Sequence, residues 1–207
     1  MAFVKRKAIE VAEADEPKQE RSCAALTASL EDADPQTRRQ AAREMLHSLN
    51  VAEALVSRLK REQDAAVREV ILTTLVRLDD PSTAAGMAEC LRSEDAALRN
   101  EVIEAIGLLS GDVSATLRSL LADPNPDVRI FAVNILDSRR QPDVERWLIE
   151  VIEQDAHLNV CATAVDLLCE VGTEAALEPL LRLKARFASD AFIKFSANRA
   201  IKRIRGG

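Results

Sequence analysis

The sequence predicts an all-α protein built as a solenoid of about six helical hairpins, and three observations carry that prediction. The first is composition. Of 207 residues, 47% are hydrophobic, yet only 3% are aromatic, tyrosine is absent, and there are six glycines and seven prolines. A β-sandwich would need more β-branched and aromatic residues and more turn glycines, so this composition favours helices. The second is a short motif that recurs six times at steps of 30, 31, 30, 32 and 33 residues. The third is a second amphipathic run between successive copies of that motif.

The motif has a capping residue, two spacers, an apolar anchor, usually an arginine, and then small and apolar residues. It reads DPQTRRQAAREML from Asp34, DAAVREVILTTL from Asp64 and DAALRNEVIEAI from Asp95. It returns as NPDVRIFAVNIL from Asn125, HLNVCATAVDLL from His157 and DAFIKFSANRAI from Asp190. The anchors are Thr37, Val67, Leu98, Val128, Val160 and Ile193. Between them lie amphipathic runs at 51–60, 82–92, 113–121, 144–152 and 174–183. In the fourth of these, Val144, Trp147, Leu148, Val151 and Ile152 fall on one stripe. Turns are expected at Asp80-Pro81, Gly111-Asp112, Gln141-Pro142 and Gly172-Thr173. One hairpin cannot bury both its apolar faces alone, whereas a stack of six forms a continuous core. Residues 21–207 are therefore expected to form one repeat domain. Residues 1–20 stand outside the period, as an extension or a short capping helix.

The D-P-x-V-R-x-x-A-A-x-x-L pattern following a first helix resembles HEAT repeats, and the short period resembles the HEAT-like repeats of the phycobilisome (bilin) lyase type. The resemblance covers roughly residues 21–205 and implies a right-handed superhelix. It says little about activity, because the superfamily includes adaptors, scaffolds, lyase subunits and a few enzymes.

Asp34, Asp64, Asp95, Asn125 and Asp190 each precede the second helix of a repeat, where a side-chain oxygen caps free N–H groups and contributes about 1 kcal/mol. Pro35 and Pro126 follow as first-turn residues, which need no N–H. Arg38, Arg68, Arg99 and Arg129 come four residues after the cap. In stacked repeats they stand in register, each expected to reach a capping carboxylate of its own or a neighbouring repeat. This pairing favours a structural ladder over anion binding. Repeat five has His157 at the cap and Cys161 at the arginine position, and repeat six has Lys194, so the ladder is expected to be weakest near repeat five. Cys161 there is expected to pack as a small hydrophobe, and Trp147 as core.

The sequence gives no motif for catalysis, cofactor or metal, and a non-enzymatic role is expected. His47 and His157 fall four repeats apart, roughly 35–40 Å at the spacing of packed helices. The HEAT-repeat hydroxylases use His-Glu pairs, and this sequence has no His-Glu dipeptide. A net charge of −6 argues against general nucleic-acid or membrane binding. Residues 182–207 run the other way, with eight Lys/Arg and one acid. Lys5-Arg6-Lys7 leads into AIEVAEADEP, which lacks the apolar core of a secretory signal. With four cysteines in no paired spacing, a cytoplasmic setting is expected, and the non-enzymatic role is expected to belong to a bacterial system.

In solenoids of the resembled type, the second helices line the concave face that takes a partner. The third, fourth and seventh positions from each anchor are then expected to face outward. They supply Val70 in repeat two, Glu101 and Glu104 in repeat three, Ile130, Phe131 and Asn134 in repeat four, and Asp166 in repeat five. Adjacent apolar residues at Ile130 and Phe131, where sibling repeats are mostly polar, have the composition of a binding hot spot. The expected function is that of an adaptor or regulatory scaffold for a protein partner. The alternative implied by the resemblance is an accessory subunit acting on a chromophore-carrier protein, as bilin lyases do.

Overall fold

The computed structural model describes residues 21–80, 82–139 and 143–206. The expectations for residues 1–20 and for Pro81, Gln141 and Pro142 lie outside the described residues. Among the described residues there are twelve α-helices and no strand. They are α1 (Cys23–Ser29), α2 (Pro35–Glu44), α3 (Ala52–Leu59), α4 (Ala65–Leu78), α5 (Thr83–Ala88) and α6 (Ala96–Leu108). There follow α7 (Ser114–Leu121), α8 (Pro126–Arg139), α9 (Val144–Gln154), α10 (Leu158–Val171), α11 (Leu177–Arg186) and α12 (Ala191–Gly206). Short 3-10 turns extend α2 and α5 and lead into α11.

The even-numbered helices pack one on the next from α2 to α12 and form one layer of an α-solenoid. The odd-numbered helices form the other, with α3 on α5, α5 on α7, and α9 on α11. The anchors Val67, Leu98, Val128, Val160 and Ile193 are all buried within a single continuous core. Thr37, the one polar anchor, stays half-exposed and donates its hydroxyl to Asp34 instead.

Helix starts follow the predicted chemistry. Asp34 accepts from the backbone N–H groups of Gln36 and Thr37, Asp64 from Val67, and Asp95 from Ala97 and Leu98. Asn125 accepts from Asp127 and Asp190 from Ile193. His157 makes no side-chain cap; its backbone N–H is received by Asp155 at 2.8 Å.

The arginines do brace successive repeats, but mostly not through the caps. Arg38 forms a two-pronged pair with Glu62, at 2.8 Å through both Nε and Nη2, and also donates to the carbonyls of Asp32 and Ala33. Arg129 clasps Asp155 and the carbonyls of Asp123 and Pro124 in the same way. Both acids sit two residues before the next cap. A carboxylate already accepting first-turn N–H groups has few lone pairs aimed at the neighbouring repeat, whereas the residue two before it faces back across the joint. Only Arg68 reaches a cap carboxylate, Asp95, and it also holds Glu101. Among the described residues Arg99 has no carboxylate partner; it donates to the Ser93 carbonyl and lies 5.6 Å from the centre of the Phe131 ring. The acid that register would give it, Asp123, is taken by Arg92.

Near repeat five, where the ladder is expected to be weakest, another arginine supplies a brace. Arg186, from the end of α11, reaches back to the carbonyls of Ile152, Glu153 and Asp155 and to the Cys161 sulfur at 3.3 Å. A guanidinium from the following repeat thus fills the place that Cys161 leaves open. Burial pushes the Cys161 thiol up, against the opposing pull of Arg186, so at neutral pH it is a packed thiol rather than a nucleophile.

Candidate partner-binding surface

The outward side of the even-numbered helices carries depressions between successive helices. Between α4 and α6 runs an open groove of about 660 Å³, floored by Leu72, Val76, Ala105 and Leu108. Glu69 and Glu101 stand toward its end nearer the helix N-termini, Glu104 is midway, and Arg77 and Leu108 lie at the other end. Leu108 is 70% exposed although its neighbour Leu109 is buried. Two consecutive leucines at a helix end cannot share one core-facing stripe, and here the second one takes the core. Glu101 is shared with Arg68, while Glu69 and Glu104 have no ion pair among the described residues. The floor is apolar and the rim carries two uncommitted carboxylates.

The second depression, between α8 and α10, has a volume of about 220 Å³ and is mostly polar. It is lined by Asn134, Asp137, Asp166 and Glu170 with Val133, Leu167 and Arg199. Arg199 of α12 donates to Asp166 at 2.9 Å and so covers part of it.

The residues expected on the partner-binding face separate accordingly. Glu101 and Glu104 fall in the first groove, and Asn134 and Asp166 in the second. Ile130 and Phe131 are not the bare pair that the sequence suggests: both are half-buried against the core, as is Val70. Arg99 reaches toward the Phe131 ring. Of the other outward positions, Ala162 and Ser196 are buried. Sequence reasoning missed Leu108, and the adjacent Leu108-Leu109 was the available signal. It also passed over Phe192, one of two exposed aromatics on α12.

These positions lead to a first prediction. Replacing Phe131 with aspartate loses a half-buried ring and its contact with Arg99. The expected cost is about 1–2 kcal/mol, or roughly 5 °C in Tm for a chain of this size. Circular dichroism melting tests it, and an unchanged Tm would place Phe131 on the solvated surface. Leu108 is the cleaner probe of binding, because an exposed side chain can be changed within about 0.5 kcal/mol.

The opposite layer holds a further depression of about 540 Å³ between α7 and α9. Most of its charged groups are engaged in bracing. Asp123 pairs with Arg92, Asp155 with Arg129, and Arg118 lies over Trp147 with 4.8 Å to the ring centre. Burial would raise the Asp155 carboxyl, but the Arg129 hydrogen bond and the His157 N–H outweigh it and hold it below its ordinary value. No described helix is long and apolar enough to cross a membrane.

Stacked hairpins, capped second helices and inter-repeat arginines define a helical repeat protein of the solenoid class. The family model described as HEAT repeats matches residues 52–117 and 114–202, and the chain belongs to that family. No curated protein matches the sequence. Among solved structures, the chain is similar to an engineered protein from the Northeast Structural Genomics Consortium, at 18% identity and a TM-score of 0.45, over 88% of this chain and 98% of that one. It is similar to the complex of CpcE and CpcF of phycocyanin lyase from Nostoc sp. PCC7120, at 16% identity and a TM-score of 0.38, over 97% of this chain and 99% of that one. A designed armadillo repeat protein matches at 14% identity and a TM-score of 0.38, over 88% of this chain and all of that one.

Proposed function

We infer that the protein is a non-enzymatic interaction module that holds a protein partner against the outward side of its even-numbered helices. The observation that carries this reading is the α4–α6 groove, with its apolar floor, the exposed Leu108 and the uncommitted carboxylates of Glu69 and Glu104. An apolar depression whose rim carries two uncommitted carboxylates, with Arg77 at one end, suits a segment that presents an apolar anchor followed by Lys or Arg. The rigid two-layer stack supports it, because a groove on packed helices is preformed and loses little entropy when filled.

The test is affinity capture from the native host, comparing the wild-type chain with Leu108→Asp and with Glu69→Lys/Glu104→Lys by quantitative mass spectrometry. A partner of this groove drops at least tenfold with both variants, and its capture by the wild type weakens as salt is raised. Identical captured sets from all three chains, with melting temperatures unchanged, would sink the reading.

A further inference from the structure

The outward face of α12 has the chemistry that the α4–α6 groove lacks. Phe192, Phe195, Arg199 and Lys202 follow one another at spacings of three, four and three residues, which places them on one face of the helix. Phe192 is 58% and Phe195 66% exposed, and Arg199 and Lys202 are exposed too. In repeat register, Phe195 corresponds to Ile130 of α8 and Ala162 of α10. Those residues are half-buried and buried, in helices that each have a following even-numbered helix packed beside them. On α12 both aromatic rings are open among the described residues. The segment that carries them, residues 182–207, holds eight Lys/Arg against one acid.

We propose that the α4–α6 groove takes α12 of a second copy of this chain, seating Phe192 and Phe195 on Leu72, Val76 and Leu108 and setting Lys202 against the Glu69 and Glu104 carboxylates. The proposal rests on the reading of that groove as a docking surface. Charge favours the pairing, since the uncommitted Glu69 and Glu104 of the rim meet Lys202, while Arg199 stays with Asp166 and Arg77 lies at the opposite end of the groove from Glu69. Size agrees: about 660 Å³ lies within the range that buries a drug-sized ligand, ample for two phenyl rings. The contact must be intermolecular, because α12 packs on α10 and α11 of its own chain, with α8 and α10 between it and the groove. Since groove and helix are different surfaces, each copy offers one of each. Copies therefore add head to tail or pair reciprocally.

Sedimentation velocity on the full chain across a micromolar concentration series tests this. The weight-average mass is expected to rise with concentration and to fall back as salt is added. Phe192→Ser/Phe195→Ser is expected to weaken association at least tenfold with no loss of Tm, as both side chains are exposed. Glu104→Lys and Lys202→Glu are each expected to be monomeric alone, while their mixture associates, because each supplies the charge the other has lost. A wild-type chain that is monomeric throughout, or association indifferent to the two phenylalanines, overturns the proposal. If the chain is monomeric while Leu108→Asp still abolishes partner capture, the docking reading stands and only the second copy is wrong as occupant.

Discussion

Arg38→Ala is expected to destabilise the protein by about 3 kcal/mol, the low end of the range for removing one partner from a buried ion pair. Arg38 and Glu62 are among the most buried charged residues of those described, at 7% and 2% exposure. Glu62 keeps a second partner, Arg58, at 2.7 Å, and also accepts the backbone N–H groups of Gln63 and Asp64. Those contacts keep the loss from being larger. The same cluster fixes a pH dependence. Burial alone would raise the Glu62 carboxyl, but the hydrogen bonds from Arg38, the Asp64 N–H and Arg58 outweigh it and bring it from 4.5 to about 2. A depressed carboxyl contributes stability that is complete above its unfolded value and is lost as it takes up a proton. The contribution, on the order of 3 kcal/mol at most, is thus expected to be intact at neutral pH and to fade between about pH 4.5 and 2. Urea unfolding at a series of pH values measures it, with Glu62→Gln as the control that flattens the slope in this window. A wild-type slope no steeper than that of Glu62→Gln would remove Glu62 as the source.

Much of this cluster was legible in the sequence, though its partners were not. The repeat period, the helix starts at Asp34, Asp64, Asp95, Asn125 and Asp190, and the burial of the anchors all follow from local rules. Caps, first-turn prolines and a stripe of period 3.6 act within one helix and need no knowledge of the neighbour. Partner choice is different, because it depends on how one repeat sits on the next. Glu62 and Asp155 lie in turns, one at each joint, and nothing local marks them as the acids that face Arg38 and Arg129. Arg186 stands 25 residues from the cysteine sulfur it approaches, in an element whose own pattern accounts for it as a terminal cation. One signal was available: opposite charges about one repeat apart do pair, as in Lys60–Glu89, Arg61–Glu31 and Arg182–Glu153. The candidate surface was partly legible for a related reason. Counting positions from the anchor found the acids Glu101 and Glu104, which point outward on any regular helix. It placed Ile130 and Phe131 too far into solvent, because half-burial at a helix flank is set by the bulk of the next helix. It passed over Leu108, because at a helix end the stripe is no longer regular.

Trp147→Ala is expected to have the largest effect of any single change, about 3–5 kcal/mol and on the order of 10 °C in Tm. Trp147 is 7% exposed and lines the spaces on both sides of the α7–α9 joint. From α3 to α11, this is the step of the odd-numbered layer at which the two backbones approach each other least. The indole, with Arg118 over its face, fills the gap that the backbones leave. Without it, repeats four and five are joined chiefly through α8 on α10. Coupling in a stacked array passes only between neighbours, so a weakened step divides the cooperative unit as well as lowering its stability. Trp147→Ala is therefore expected to melt in two transitions, one for the repeats before the joint and one for those after it. In hydrogen exchange, α7 and α9 are expected to lose protection before α3 or α11. The wild-type protein offers an independent view, because Trp147 is its only tryptophan: its fluorescence reports the opening of this joint, while circular dichroism reports the whole stack. A single transition lowered by only a few degrees in Trp147→Ala, with exchange uniform along the chain, would show that α8 and α10 alone hold the two halves together.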